Sequence, residues 1–137
     1  MLKSVNNRIL LIEDDKDTRE IYAFVLEAEG FTVDTAADGA TGLERAKTGG
    51  YALILLDLMM PKVDGLHFLA ELKRSPPREH NGPIVIITNL SHVPVIEEAK
   101  KLGASAYFVK AELTPATLVK KVQAIIKASP PEEPQAE

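Results

Sequence analysis

Three uninterrupted apolar runs, at residues 9–12, 52–56 and 84–87, constrain this chain more than any other feature. A strand with one face in water alternates apolar and polar side chains, so a run apolar at every position has both faces covered. Residues 31–36 read as a more polar strand suited to a sheet edge, and 106–109 as a fifth strand. Stretches with helical spacing lie between them. The first, about 17–29, carries Ile21, Phe24, Val25 and Ala28 on one stripe and stops at Gly30. Asp38 is placed to cap a short helix running to about Lys47, which Gly49 and Gly50 break. A third helix spans 65–74, followed by a Pro-rich loop at 75–83. A fourth begins with a tolerated proline at Pro94 and ends at Gly103. The last, about 115–127, aligns Leu118, Val119, Val122, Ile125 and Ile126. Five strands alternating with five helices predict an α/β fold, a doubly wound five-stranded parallel sheet with helices on both faces.

In such a sheet the site lies beyond the carboxyl ends of the strands, where the strand order switches. The notable polar residues all fall at such ends: Glu13 and Asp14 after the first run, Asp57 after the third, Thr88 after the fourth and Lys110 after the fifth. Acids delivered by two buried strands focus negative charge, which is costly without a cation. The chain has no cysteine, and His67, His80 and His92 show no ligand spacing. Oxygen ligands alone suit Mg²⁺, and that points to phosphoryl chemistry. Asp15 and Asp17 read as the cap and first turn of a helix, where acids are favoured. Asp64 and Gly65 read as a turn into the third helix, and Lys100, Lys101, Lys120 and Lys121 as solvated helix faces.

At 137 residues the chain fits one domain. A net charge of −4 argues against direct contact with nucleic acid or an anionic membrane. No apolar run approaches the roughly 20 residues that cross a bilayer, and residues 1–8 lack the apolar segment of a signal peptide, so a cytoplasmic location is expected. The expected organisation is an N-terminal extension at 1–6, a folded domain at 7–127 and a disordered Pro/Glu-rich tail at 128–137. Nothing after Lys127 is long enough for a helix-turn-helix.

Four segments, ILLIEDD at 9–15, LDLMMPKVDG at 56–65, IVIIT at 84–88 and GASAYFVK at 103–110, occur in an order and spacing that resemble the receiver domain of two-component response regulators, of the chemotaxis-receiver type. The resemblance covers about residues 7–127 and implies the strand order 2-1-3-4-5. It implies Asp57 as phosphoacceptor, Asp14 as a direct Mg²⁺ ligand, Glu13 as a ligand through water and the Met59 carbonyl as a further ligand. It implies that Lys110 pairs with Asp57 and then with a phosphoryl oxygen, that Thr88 hydrogen-bonds another, and that Tyr107 is an aromatic switch following Thr88, with a core-packing role as its alternative. The switching face would be the fourth helix, fifth strand and fifth helix. Partners would be a sensor histidine kinase or phosphotransfer protein and a downstream effector protein, with room for a phosphorylation-dependent homodimer. Such a domain phosphorylates and dephosphorylates itself with Mg²⁺ and is not a metabolic enzyme.

Three departures stand out. Ala111 follows Lys110 where the family usually has proline, often after a cis bond; a non-proline cis bond costs about 2.5–4 kcal/mol. Asn89 stands where a smaller residue is common, and Glu13 replaces the commoner aspartate. A haloacid-dehalogenase-type hydrolase would want an acid where Met59 stands. An FMN carrier would find its phosphate repelled by Glu13, Asp14 and Asp15. A degenerate receiver acting only as a binding module is the remaining alternative.

Overall fold

The computed structural model describes residues 6–60, 63–89 and 93–128. Five strands, β1 (Arg8–Ile12), β2 (Thr32–Ala36), β3 (Leu53–Asp57), β4 (Ile84–Thr88) and β5 (Ala106–Val109), alternate with five helices. These are α1 (Lys16–Ala28), α2 (Gly39–Thr48), α3 (Gly65–Arg74), α4 (Val93–Lys101) and α5 (Pro115–Ala128). All strand pairs are parallel, in the order β2-β1-β3-β4-β5. The doubly wound sheet expected from the sequence is therefore the fold, with β2 at one edge. Residues 1–5, Leu90, His92 and the tail from Ser129, for which the sequence also carries expectations, lie outside the described residues.

The apolar runs are explained by the pleat, which sends successive side chains to opposite faces. Leu10, Ile12, Ile54, Leu56 and Ile86 pack with Ala46 of α2, Phe68, Leu69 and Leu72 of α3, and Ala99 of α4. Ile9, Leu11, Leu53, Leu55, Val85 and Ile87 pack with Tyr22 and Leu26 of α1, and Leu118 and Val122 of α5. At roughly 1.5–3 kcal/mol for each fully buried aliphatic side chain, these two layers dominate the folding free energy.

The α1 stripe differs from expectation. Tyr22 and Leu26 are the buried residues, whereas Ile21 and Phe24 face outward at 49% and 72% exposure. Stripes that begin at 21 and at 22 both satisfy helical spacing and differ by about 100° of rotation. Packing against the sheet and α5 selects the second. The helix starts at Lys16, one residue before the expected bound, and Asp15 is its cap as its sequence position suggested, accepting from the Thr18 N–H at 2.9 Å and the Thr18 hydroxyl at 2.6 Å. Asp38 and Asp64 cap α2 and α3 through the N–H groups of Thr41 (2.7 Å) and His67 (2.9 Å).

The amino end of the sheet is stitched. Tyr51 donates its hydroxyl to Asp34 at 2.7 Å, and the Arg8 guanidinium stacks 4.5 Å from the Tyr51 ring centre. The 75–83 loop is tied down as well: Gly49 bridges Glu79, and Gly82 N–H donates to the Tyr51 carbonyl at 2.7 Å. Gly49 has φ +85°, and a Cβ there would strike the Glu79 backbone, so only glycine fits that crossing.

Candidate functional site

The carboxyl edge of the sheet gathers the polar residues singled out above. β3 runs through Asp57, one residue further than the apolar run suggests, and Asp57 pairs in register with Ile87. The Leu58 N–H continues the ladder to the Ile87 carbonyl at 3.2 Å, so the Asp57 backbone is held on both sides. Glu13 prolongs β1 in the same way, its N–H donating to the Ala36 carbonyl at 3.0 Å. Both carboxylates are buried, while Asp14 stands exposed at the mouth. One oxygen from each of Glu13, Asp14 and Asp57 lies within 4.8 Å of the others.

Lys110 faces this trio. Its Nζ lies 2.9 Å from Glu13 Oε1 and 3.6 Å from Asp57 Oδ2. The lysine thus leans on Glu13 rather than on Asp57, a preference the longer glutamate makes available. Ala111 does not pull it away: every peptide bond among the described residues is trans, and Lys110 opens a short 3₁₀ turn, Lys110–Glu112, that the sequence did not predict. The other Glu13 oxygen accepts from the Asp15 N–H at 3.0 Å, and Asp57 Oδ1 accepts from the Met59 N–H at 3.0 Å.

Charge is out of balance here, three carboxylates against one ammonium. Burial, and then the Glu13 charge, push the Asp57 carboxyl up to about 7, against the opposing pull of the Met59 N–H and Lys110. Burial disfavours the Lys110 charge, but the carboxylates of Glu13 and Asp57 outweigh it and hold its pKa above the usual lysine value. Glu13 Oε1 is buried and, despite the nearby ammonium, has no hydrogen bond of good geometry among the described residues. Oxygens from three carboxylates within 4.8 Å of one another, carrying more negative charge than the one ammonium offsets and with no histidine in the group, fit a hard divalent cation such as Mg²⁺.

The remaining predicted residues surround this centre. Thr88 is fully buried at the end of β4, opposite Val109 in register. Met59 directs its side chain outward at 61% exposure, and Asn89 is exposed as well. Tyr107 is on β5 but is not a core aromatic: it is 40% exposed, with the Lys100 ammonium 5.8 Å from its ring centre. One residue was missed. Arg19 donates from Nη1 to the Glu13 carbonyl at 2.9 Å and to the Asp14 carbonyl at 3.3 Å. The available signal was a cation close to a helix N-terminus, where the dipole disfavours it.

A five-stranded sheet of this order with an acid trio and a facing lysine at its carboxyl edge is a flavodoxin-like domain of the chemotaxis-receiver type. Comparison with known proteins narrows that class. Residues 9–123 match the response regulator receiver domain. The transcriptional regulatory protein SrrA of Staphylococcus aureus is 33% identical over 124 residues, which cover 90% of this chain and 49% of SrrA. YkoG of Bacillus subtilis, an uncharacterized transcriptional regulatory protein, is 32% identical over 102 residues, 74% of this chain and 43% of YkoG. The chain thus spans about half the length of the curated relatives it matches. Among solved structures, the chemotaxis protein CheY4 of Vibrio cholerae has a TM-score of 0.75 at 26% identity, covering 88% of this chain and 99% of CheY4. A two-component response regulator from Clostridium difficile reaches 0.78 at 26% identity, covering 90% and 98%. The chain belongs to the response regulator receiver family, a signalling family and not one of metabolic enzymes.

Proposed function

We propose that this chain is a phosphorylation-driven switch of two-component signalling, with Asp57 as the phosphoacceptor. The observation that carries this reading is the setting of Asp57: a buried carboxylate at a strand end, 3.6 Å from a lysine and grouped with two further acids. An Asp57 oxygen attacks phosphorus, the P–N bond to a donor imidazole breaks, and the imidazole leaves with the bonding pair and takes up a proton. Asp57 then carries an acyl phosphate. Two negative groups must meet, so the barrier falls through charge neutralisation and positioning. Asp14, Asp57, the Met59 carbonyl and, through water, Glu13 would hold Mg²⁺, which would supply that neutralisation. Lys110 moves from Glu13 toward a phosphoryl oxygen, and the Thr88 hydroxyl donates to another. Tyr107 follows Thr88, changing the face of α4, β5 and α5.

The partners in this reading are a sensor histidine kinase or phosphotransfer protein, an effector protein and, after phosphorylation, a second copy of the chain. Nucleic acid and membrane are not touched directly. No helix among the described residues is long and apolar enough to cross a membrane, and a cytoplasmic setting fits the reading. The test is labelling with acetyl phosphate and Mg²⁺, followed by mass spectrometry. We expect one phosphoryl group on Asp57 and none on Asp57→Asn. An unlabelled wild-type chain would favour the degenerate-receiver alternative, and label retained by Asp57→Asn would move the acceptor elsewhere.

The acyl phosphate should be long-lived. Hydrolysis needs a water placed in line with phosphorus, opposite the Asp57 oxygen. In receivers the positions two beyond the phosphoacceptor and two beyond the threonine border that approach, and in this sequence they carry Met59 and Leu90. Neither side chain offers a strong donor or acceptor to orient water. Met59→Asn/Leu90→Glu is expected to lose its phosphoryl group roughly tenfold faster than wild type, a barrier change of about 1.4 kcal/mol. Decay of the isolated phosphoprotein measures this, and equal or slower loss from the double variant would refute it.

A further inference from the structure

Arg19 has no place in the phosphoryl chemistry just described, yet its side chain holds the backbone that carries the acid pocket. Its guanidinium Nη1 reaches the Glu13 carbonyl at 2.9 Å and the Asp14 carbonyl at 3.3 Å, so one side chain clamps the two successive peptide groups that carry two of the three acids. Its own N–H donates to the Asp15 carbonyl at 2.9 Å, which fixes the clamp to the first turn of α1. Helix stability does not account for a cation here, because the macrodipole at a helix N-terminus opposes it. Both contacts come from the one nitrogen Nη1, whose two N–H bonds are held in fixed directions by the guanidinium plane, one for each neighbouring carbonyl.

The clamp matters most for Asp14. Glu13 is held by the Asp15 N–H and by Lys110, and Asp57 by the Met59 N–H and Lys110. Among the described residues, no hydrogen bond or ion pair holds the Asp14 carboxylate. Its place is dictated by its backbone, and Arg19 fixes that backbone against the mutual repulsion of the trio.

We propose that Arg19 is a positioning residue that makes the acid pocket selective for Mg²⁺ over Ca²⁺, an inference that rests on reading the pocket as a divalent-cation site. Mg²⁺ demands near-ideal octahedral geometry at about 2.0–2.1 Å, whereas Ca²⁺ accepts roughly 6–8 oxygens at about 2.3–2.6 Å in flexible arrangements. A pocket with a rigid Glu13–Asp14 segment serves the smaller ion. A pocket with a loose segment serves the larger one equally well.

Electrostatics and positioning predict opposite signs, which gives the test its power. Removal of a positive charge beside the site strengthens binding of any divalent cation. Loss of positioning weakens Mg²⁺ and spares Ca²⁺. Titration calorimetry of the full chain with MgCl₂ alone and with CaCl₂ alone is the experiment, on wild type, Arg19→Ala, Arg19→Lys and Arg19→Gln. We expect Arg19→Ala to bind Mg²⁺ about tenfold more weakly and Ca²⁺ within about threefold of wild type, a loss of selectivity that general loosening of the fold does not produce. Arg19→Lys keeps the charge and several donors on one nitrogen but lacks the rigid guanidinium plane, and should recover only part of the selectivity. If Arg19→Ala does not fold, the Mg²⁺-to-Ca²⁺ ratio of Arg19→Gln decides in its place. Tighter or equally weakened binding of both ions in the variants overturns the role of Arg19. A wild-type chain that binds neither ion overturns the cation reading beneath it.

Discussion

In metal-free buffer at pH 8, Asp57→Asn is expected to melt above the wild-type chain, although it removes the residue on which the proposed function depends. Asp57 is buried beside the Glu13 carboxylate, and burial first and Glu13 second raise its pKa from 3.8 to about 7. The folded chain therefore holds a proton on Asp57 across a pH range in which the unfolded chain has lost it. Stability falls as pH rises through that window, from near 4 to about 7, and above it the folded state carries the full cost of the buried charge. Asparagine removes the charge and keeps the shape, and the Lys110–Glu13 contact of 2.9 Å remains. Allowing for screening by solvent at the pocket mouth, the gain is about 1–2 kcal/mol, or roughly 3–8 °C in Tm. At pH 5 the wild-type carboxyl is largely protonated and the difference should narrow. Thermal denaturation at the two pH values checks this. A lower Tm for Asp57→Asn at pH 8, or a gap independent of pH, would count against it.

Saturating MgCl₂ should stabilise the wild-type chain by mass action, by about 2.7 kcal/mol at a hundredfold excess over Kd, and Asp14→Ala should abolish that increment. Asp14 is the exposed member of the trio, so its removal costs little folding energy of its own and isolates the metal response. Binding must also displace the Asp57 proton. Apparent affinity should thus fall by about tenfold for each pH unit below 7, with proton release measurable in buffers of different ionisation enthalpy. A metal increment that survives Asp14→Ala would remove Asp14 from the site. An affinity indifferent to pH would remove Asp57.

The fold was legible because its strands are apolar at nearly every position and its helices start at Asp15, Asp38 and Asp64, side chains that cap through a local hydrogen bond. The strand order was not a matter of periodicity; it followed from the resemblance, and the sheet has it. Short-range spacing could not decide the rotation of α1, because stripes from 21 and from 22 both satisfy it. The partner preference of Lys110 was likewise hidden. Motif spacing brings Glu13, Asp57 and Lys110 to one edge, but distances of 2.9 and 3.6 Å depend on side-chain length and on the 3₁₀ turn after β5. Arg19 was passed over because its hydrogen bonds end on backbone carbonyls, which leave no trace in residue identity.

The stitched amino end has a mechanical consequence for a domain of this kind. With Arg8, Asp34 and Tyr51 locked together and the 75–83 loop bound back to Gly49 and Tyr51, the base of the sheet is an anchored foundation. In the proposed switch, a rearrangement begun at Asp57 would therefore meet its stiffest resistance toward the base and its least toward the carboxyl rim where it starts.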